Sequence, residues 1–109
     1  MNPFGKLGDL GNIMKQAQKM LEDTKKIEES LAEERIETAS GGGMVKAVVT
    51  GRGELLEVAI DPQVVDPEDV EMLQDLVVTA IREALEQAQA LKSEKMKELT
   101  GGMGIPGLF

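Results

Sequence analysis

The side chains of this chain that could do chemistry are carboxylates and lysines, because cysteine and histidine are both absent. Their absence leaves no disulfide, no zinc site of the usual kind and no Cys/His or Ser/His catalytic pair. The acidic residues between Asp61 and Asp75 lack calcium-loop spacing, so helix capping and solubility explain them better than a bound cation. The glycines at 41–43 lack the Lys-Ser/Thr sequel of a phosphate-binding loop. We therefore expect no metal, no cofactor, no small-molecule substrate and no enzymatic activity.

The lysines favour a different chemistry, which is contact with phosphate. Eight of them lie in the first quarter of the chain or near its end: Lys6, Lys15, Lys19, Lys25, Lys26, Lys92, Lys95 and Lys97. Residues 61–80, in contrast, carry six acidic groups and no basic one. The lysines also suit a solvated helix face, and the last three suit a helix C-terminus, so the residues alone leave both interpretations open. The net charge of −8 argues against avid polyanion binding, and the absence of Tyr and Trp removes any stacking platform for single strands.

The central stretch, residues 35–61, predicts a meander of three antiparallel strands. Glycines at 41–43 permit positive φ at a first turn, and Gly51 with Gly53 at a second. Asp61-Pro62 closes the block, since proline cannot donate to a strand ladder. Apolar residues recur at the two-residue strand period and predict one buried face: Ile36, Val45, Ala47, Val49, Leu56, Val58 and Ile60.

A long amphipathic helix is predicted on each side of the meander. The first should begin between Asp9 and Asn12, either of which can cap it, and end before Arg35. The second should start at Asp66-Pro67, run to about Leu99 and end at the glycines 101–102. We expect one domain over residues 1–109, with flexible tails at 1–8 and 101–109.

The length of the second helix predicts a dimer. About 33 residues would make a rod of about 50 Å, whereas a compact domain of this size has a radius of gyration of about 13 Å. The apolar stripe continues along the overhang, so we expect a second copy to cover part of it. The residues predicted for this core and dimer interface are Val45, Val49, Val58, Ile60, Leu73, Val77 and Ile81.

Four segments in order, FGKLGDLGNIMKQAQKM, GGGMVKAVVTGRGELLEVAIDP, DPEDVEMLQDLV and TGGMGIPGLF, closely resemble the YbaB/EbfC family of bacterial nucleoid-associated proteins. The resemblance implies an α+β chain of order α-β-β-β-α, dimeric with protruding helices, that binds double-stranded DNA and alters its conformation. It also implies a place in the cytoplasm, at the nucleoid. The segment ETAS before the glycines departs from the family pattern. No DNA-reading motif transfers, so the lysines remain an inference from charge.

A protein-interaction module is the competing interpretation. Its basis is the negative net charge together with an apolar C-terminal stretch, IPGLF, that could recruit a partner. The first residues have no apolar h-region, and no apolar run approaches the length of a membrane span, so we expect no membrane partner.

Overall fold

The chain folds as a long helix, three antiparallel strands and a second long helix, the α+β order that the sequence predicts. The computed structural model describes the backbone of residues 3–101 and the side chains of residues 10–99. The elements are α1 (Pro3–Glu33), β1 (Arg35–Ser40), β2 (Val45–Thr50), β3 (Leu55–Ile60), a short 3₁₀ turn (Pro62–Val64) and α2 (Val70–Gly101).

Helix α1 begins at Pro3, earlier than the predicted start between Asp9 and Asn12. Proline is well suited to a first helical turn, where its missing N–H has no partner in any case and its fixed φ is already helical. Of the two predicted flexible tails, residues 3–8 and 101 belong to helices. The rest of those tails lies outside the described residues.

Helix α2 begins at Val70, so the prediction of a start at Asp66-Pro67 was wrong by one turn. The carboxylate of Asp69 accepts a hydrogen bond from the Met72 amide at 3.2 Å, which makes Asp69 the capping residue. Asp66 instead accepts from the Glu68 amide at 2.9 Å, a local turn that precedes the helix. Both aspartates can cap, and the sequence does not say which one the helix uses.

The sheet has the order β1-β2-β3, with both neighbouring pairs antiparallel. The first turn uses positive φ at all three glycines, 41–43, as predicted. At the second turn only Gly53, with φ of 86°, is left-handed. Gly51 is required for a different reason: its amide donates to the Leu31 carbonyl at 2.9 Å, and an added Cβ would lie 2.7 Å from that oxygen. This glycine therefore ties the sheet to the end of α1.

One face of the sheet packs on the first half of α2 and forms the core. Small residues at four-residue spacing let the helix approach closely: Ala80, Ala84 and Ala88 are all buried. They pack with Val45, Ala47 and Val49 of the central strand. The atypical ETAS segment contributes two hydroxyls to this contact, because Thr38 donates to the Ala80 carbonyl at 2.5 Å and Ser40 to the Leu76 carbonyl at 2.6 Å. We call the sheet together with residues 70–88 of α2 the body.

The molecule is long, with extents of 79 × 26 × 17 Å and a radius of gyration of 21.6 Å. Each helix is about 47 Å long at 1.5 Å per residue, so the two cannot lie side by side over their full lengths. They meet instead near Lys95, whose ammonium donates to Ser30 Oγ at 2.9 Å. From this junction both helices run away from the sheet, and α1 extends beyond the end of α2. We call residues 10–19 of α1 the arm.

Candidate nucleic-acid interface

Three lysines form a row on one side of α1. Lys15, Lys19 and Lys26 follow one another at steps of four and seven residues, which places them within about 40° of each other around the helix axis. All three are exposed, and so is Lys25, which lies to one side of the row. The row spans about 16 Å along the helix. Lys15 and Lys19 lie on the part of the molecule that projects furthest from the body, and Lys26 lies nearer the junction of the two helices.

The side of the arm opposite this row is apolar. Leu10, Ile13 and Met14 keep 54%, 59% and 63% of their surfaces exposed. The helix is therefore amphipathic, with the cationic and apolar sides about 160° apart.

The three lysines of α2 do not form the single basic cluster that their closeness in sequence suggests. Lys95 is half-buried and turned toward α1, where it contacts Ser30 and forms an ion pair with Glu34 at 3.6 Å. Lys92 and Lys97 are both exposed but point to different sides of the helix. The side chain of Lys6 lies outside the described residues.

Lys92 lies instead beside the turn between β2 and β3. A cleft of about 190 Å³ is lined there by the turn residues 51–53, Lys92 and Gln89, together with Leu85 and Ala88. It brings Arg52 and Lys92 to one place. Arg52 also forms an exposed ion pair with Glu54 at 3.8 Å. Sequence reasoning missed Arg52, although a basic residue between two glycines of a predicted hairpin turn is a signal that could have found it.

The residues predicted for the core and dimer interface fall into three groups. Val45 and Val49 are buried within the chain. Val58, Leu73, Val77 and Ile81 are half-buried and pack against that core. Ile60 is 40% exposed, so its prediction as a core residue of the single chain was wrong.

An apolar cleft of about 450 Å³ lies on the side of α2 that the sheet leaves open. Its lining includes Val78, Ile81 and Leu85, and Val78 is half exposed. The outer strand β3 exposes Leu55 and Leu56, which are 49% and 48% exposed, so the prediction that Leu56 belongs to the buried face was wrong. Large apolar side chains left exposed in this way are typical of a surface that a partner covers.

The acidic residues at positions 61–75 surround the 3₁₀ turn and the start of α2, next to the sheet and far from the arm. All of them are exposed: Asp61, Asp66, Glu68, Asp69, Glu71 and Asp75. Among the described residues, no group of three or more acidic side chains is placed to hold a metal ion. In the same part of the chain, neither helix combines the length and the apolar character that crossing a membrane requires.

The protein is an elongated α+β protein with a row of lysines on a projecting helix. This geometry defines a class of protein that can contact a polyanion. Comparison with known proteins identifies the family. The sequence matches the YbaB/EbfC DNA-binding family over residues 6–103. The chain therefore belongs to that family.

Individual relatives agree over nearly the whole chain. A nucleoid-associated protein of Acetivibrio thermocellus is 48% identical over 103 residues, which cover 94% of this chain and 91% of the relative. A nucleoid-associated protein of Caldanaerobacter subterraneus is 50% identical over 101 residues, covering 93% and 91%. Among solved structures, uncharacterized protein HP0035 from Helicobacter pylori superposes with a TM-score of 0.63 at 27% identity, covering 81% of this chain and 98% of that one.

Proposed function

We propose that this chain is a homodimeric, nucleoid-associated protein of the cytoplasm that binds double-stranded DNA with little sequence preference. By altering DNA conformation it would affect nucleoid organisation and gene expression, without enzymatic activity or a small-molecule substrate. The observation that carries the DNA-binding proposal is the row formed by Lys15, Lys19 and Lys26 on the projecting helix. The wider set of candidate contacts predicted from the sequence is Lys6, Lys15, Lys19, Lys25, Lys26, Lys92, Lys95 and Lys97. Of these, Lys95 is the weakest candidate, because its ammonium already contacts Ser30 and Glu34 of α1.

Contact with phosphates, rather than with base edges, is the mode that these side chains support. Lysine is a flexible point charge, which suits phosphate oxygens on any sequence. Duplex DNA presents one negative charge per about 1.7 Å of axis, so a row about 16 Å long can meet several phosphates at once. The acidic residues beside the sheet would repel the duplex. Together the two charges favour an approach in which DNA meets the arm and not the body.

Dimerisation would double the arms and allow two of them to hold one duplex. The surface that we propose for it is the apolar cleft on α2 together with the outer strand β3. Burial of Val78 and Leu85 against a second copy would stabilise the dimer by about 1.5–3 kcal/mol per fully buried side chain, before entropic costs. The unpaired edge of β3 could in addition accept a strand from the partner.

A charge-matched pair of variants tests the DNA-binding site. The row variant replaces Lys15 and Lys19 by glutamine and removes two positive charges from the arm. The control replaces Arg35 and Lys46 by glutamine, which removes the same charge from the exposed surface of the body. Gel shifts with duplex DNA over a range of salt concentrations measure the slope of log K against log[salt]. For each arm that contacts DNA, the row variant should reduce this slope by about 1.8, at about 0.9 per lost phosphate contact.

Each outcome of this test has a meaning. If the control weakens binding as much as the row variant, net charge matters and the arm is not the site. If wild-type protein fails to shift duplex DNA at about 50 mM salt, where such contacts are strong, DNA binding itself is wrong and a protein-interaction module becomes the better interpretation. Equal competition by unrelated duplexes supports weak sequence preference, and preferential competition by one sequence contradicts it.

The dimer surface has its own test. Val78→Asp combined with Leu85→Asp places charges on positions that are already half exposed in one chain, so the subunit should still fold. Thr79→Asp is the control, because Thr79 is exposed, does not line the cleft and lies about 100° around α2 from Val78. Analytical ultracentrifugation should find monomers for the double variant and dimers for wild type and control. A wild-type monomer at micromolar concentration would contradict the dimer, and a dimeric double variant would contradict this interface.

A further inference from the structure

One apolar stripe runs along most of α1, and its two halves have different surroundings. Its positions alternate in steps of three and four residues, the period of a helix seam that packs against a partner. They are Leu10, Ile13, Ala17, Met20, Thr24, Ile27 and Leu31. From Met20 to Leu31 each position is half-buried or buried, whereas the three positions of the arm are exposed. The elements that cover the positions from Met20 to Leu31 therefore end before they reach the three positions of the arm.

Two elements lie beside the first group: the sheet, whose Gly51 packs against Leu31, and the last part of α2, which runs beside the preceding positions. Leu91, Met96 and Leu99 are half-buried there, and Lys95 lies opposite Ser30. Since α2 runs antiparallel to α1, its last described residue, Gly101, lies about 9 Å further along, roughly level with residue 24 of α1. Beyond this level α1 continues and α2 does not. The segment of the same chain that follows, residues 102–109, starts about 6 Å, or one helical turn, from Met20, the last half-buried position of the stripe.

We propose that residues 102–109 dock on the exposed part of this stripe, at Leu10, Ile13 and Ala17 of the same chain. The reach is sufficient: eight extended residues span about 26 Å, and Leu10 lies about 21 Å beyond the level of residue 24. The composition also fits. The segment GMGIPGLF has four large apolar side chains and no charge, while its glycines and proline disfavour a continued helix. It therefore crosses the stripe as an extended chain that presents apolar side chains to it.

Docking on this side leaves the lysine row free, because Lys15 and Lys19 lie on the opposite side of the helix. The segment would stiffen the arm by covering its apolar side, and so hold the lysines in line without touching DNA. The proposal does not rest on DNA binding, and the protein alone suffices to test it.

Pairs of introduced cysteines test the position of the segment, since the natural chain contains no cysteine to compete. The test variant carries Ala17→Cys and Ile105→Cys. The control carries Lys19→Cys and Ile105→Cys, with the first cysteine at nearly the same height but on the opposite side of α1. A disulfide forms where the two Cα atoms come within about 7 Å, so under mild oxidation the test pair should cross-link within one chain about tenfold faster than the control.

The products decide between the possible occupants. A fast-migrating monomer with a cross-linked peptide joining residues 17 and 105 supports docking within the chain. A covalent dimer as the main product shows that the segment of a second copy occupies the stripe, and overturns the proposal. Equal rates for the test and control pairs show that the segment does not dock at the stripe, and overturn it as well.

Amide hydrogen exchange provides a second measurement on the full chain. Leu108→Ser combined with Phe109→Ser should speed exchange at residues 13–17 several-fold, because an uncovered amphipathic helix frays more readily. Amides of β2 should be unaffected and serve as the internal control. Unchanged exchange in the arm would overturn the proposal even if the cysteine pair cross-links, because docking would then leave the arm no stiffer.

Discussion

The body and the arm use the same kinds of residue in opposite ways. In the body, the buried apolar side chains are valines and alanines, and Ala80, Ala84 and Ala88 are buried because the sheet lies directly on them. The polar side chains that enter this contact have partners, as Thr38 and Ser40 have in the carbonyls of α2. In the arm the apolar side chains are large and exposed, and lysines occupy the opposite side.

The difference teaches that one chain closes the contact between the sheet and α2 but leaves the apolar side of the arm uncovered. A helix whose apolar side faces water is only marginally stable, since helices in proteins owe most of their stability to packing. The arm therefore depends on what binds to it, whether the following segment of the chain, a second copy or DNA. The three predictions that follow compare matched positions in these regions, in order of decreasing effect.

The first comparison uses two leucines of the same helix. Leu31 is fully buried where α1 meets the sheet, whereas Leu21 is 71% exposed near the arm. Leu31→Ala should destabilise the protein by about 2–5 kcal/mol, since it removes buried atoms and leaves a cavity. Leu21→Ala should change stability by no more than about 0.5 kcal/mol. Urea unfolding followed by circular dichroism, at one protein concentration because of the proposed dimer, measures both values.

An equal loss of stability in Leu31→Ala and Leu21→Ala would contradict this prediction. It would mean that the region around Leu21 is covered in solution as completely as the junction around Leu31. Repeating the measurement over a range of protein concentrations would then show whether a second copy provides that cover, because its contribution grows with concentration.

The second comparison uses two glycines for which the same substitution should act in opposite directions. In Gly51→Ala the new Cβ would lie 2.7 Å from the Leu31 carbonyl oxygen, and the backbone must shift to relieve the clash. The expected loss of stability is about 1–3 kcal/mol. In Gly11→Ala the new Cβ meets no atom within 4 Å, and alanine favours a helix over glycine by about 1 kcal/mol.

The two variants need different measurements, because Gly51 lies at the contact between α1 and the sheet, whereas Gly11 lies in the exposed arm. The urea midpoint should fall for Gly51→Ala. For Gly11→Ala, slower amide exchange around residue 11 and a larger helical signal are expected, with the midpoint nearly unchanged. Faster exchange in the Gly11 variant would contradict the helical assignment of the arm.

These comparisons also show how far the sequence determines the fold. The strands were predictable because β-branched residues alternate at a two-residue period between glycine-rich turns. The choice of Asp69 over Asp66 as the cap of α2 was not, since both are good caps and the outcome depends on where the sheet places the helix. The role of Gly51 could not be found from local patterns either, because its neighbour, Leu31, is twenty residues away in sequence.

The candidate site was predictable in composition but not in arrangement. The relative positions of side chains around one helix can be predicted from their spacing, so the alignment of Lys15 and Lys19 follows from the sequence. Contacts between different helices and strands cannot be predicted from spacing. The sequence therefore grouped Lys95 with Lys92 and omitted Arg52, whereas the structure turns Lys95 toward α1 and places Arg52 beside Lys92.

The third comparison concerns two ion pairs and has the smallest expected effect. Lys95 and Glu34 lie 3.6 Å apart at the junction of α1 and α2, with side chains 24% and 47% exposed. Lys46 and Glu37 lie 3.7 Å apart on the open face of the sheet, with side chains 51% and 59% exposed. Water and salt screen exposed pairs more strongly, so the pair at the junction should have the larger coupling energy.

Double-mutant cycles measure these two couplings. For Lys95→Met with Glu34→Gln we expect about 0.5–1 kcal/mol, and for Lys46→Met with Glu37→Gln about 0.2–0.5 kcal/mol, the usual range for exposed pairs. Because Lys95 also donates to Ser30, its single substitution should loosen the arm and speed amide exchange in residues 20–31 of α1. The salt slope of DNA binding should nevertheless stay at the wild-type value, since the ammonium of Lys95 already lies against α1. A reduced slope for Lys95→Met would show that DNA displaces Glu34 from this lysine, and the junction would then be part of the binding surface as well as a structural contact.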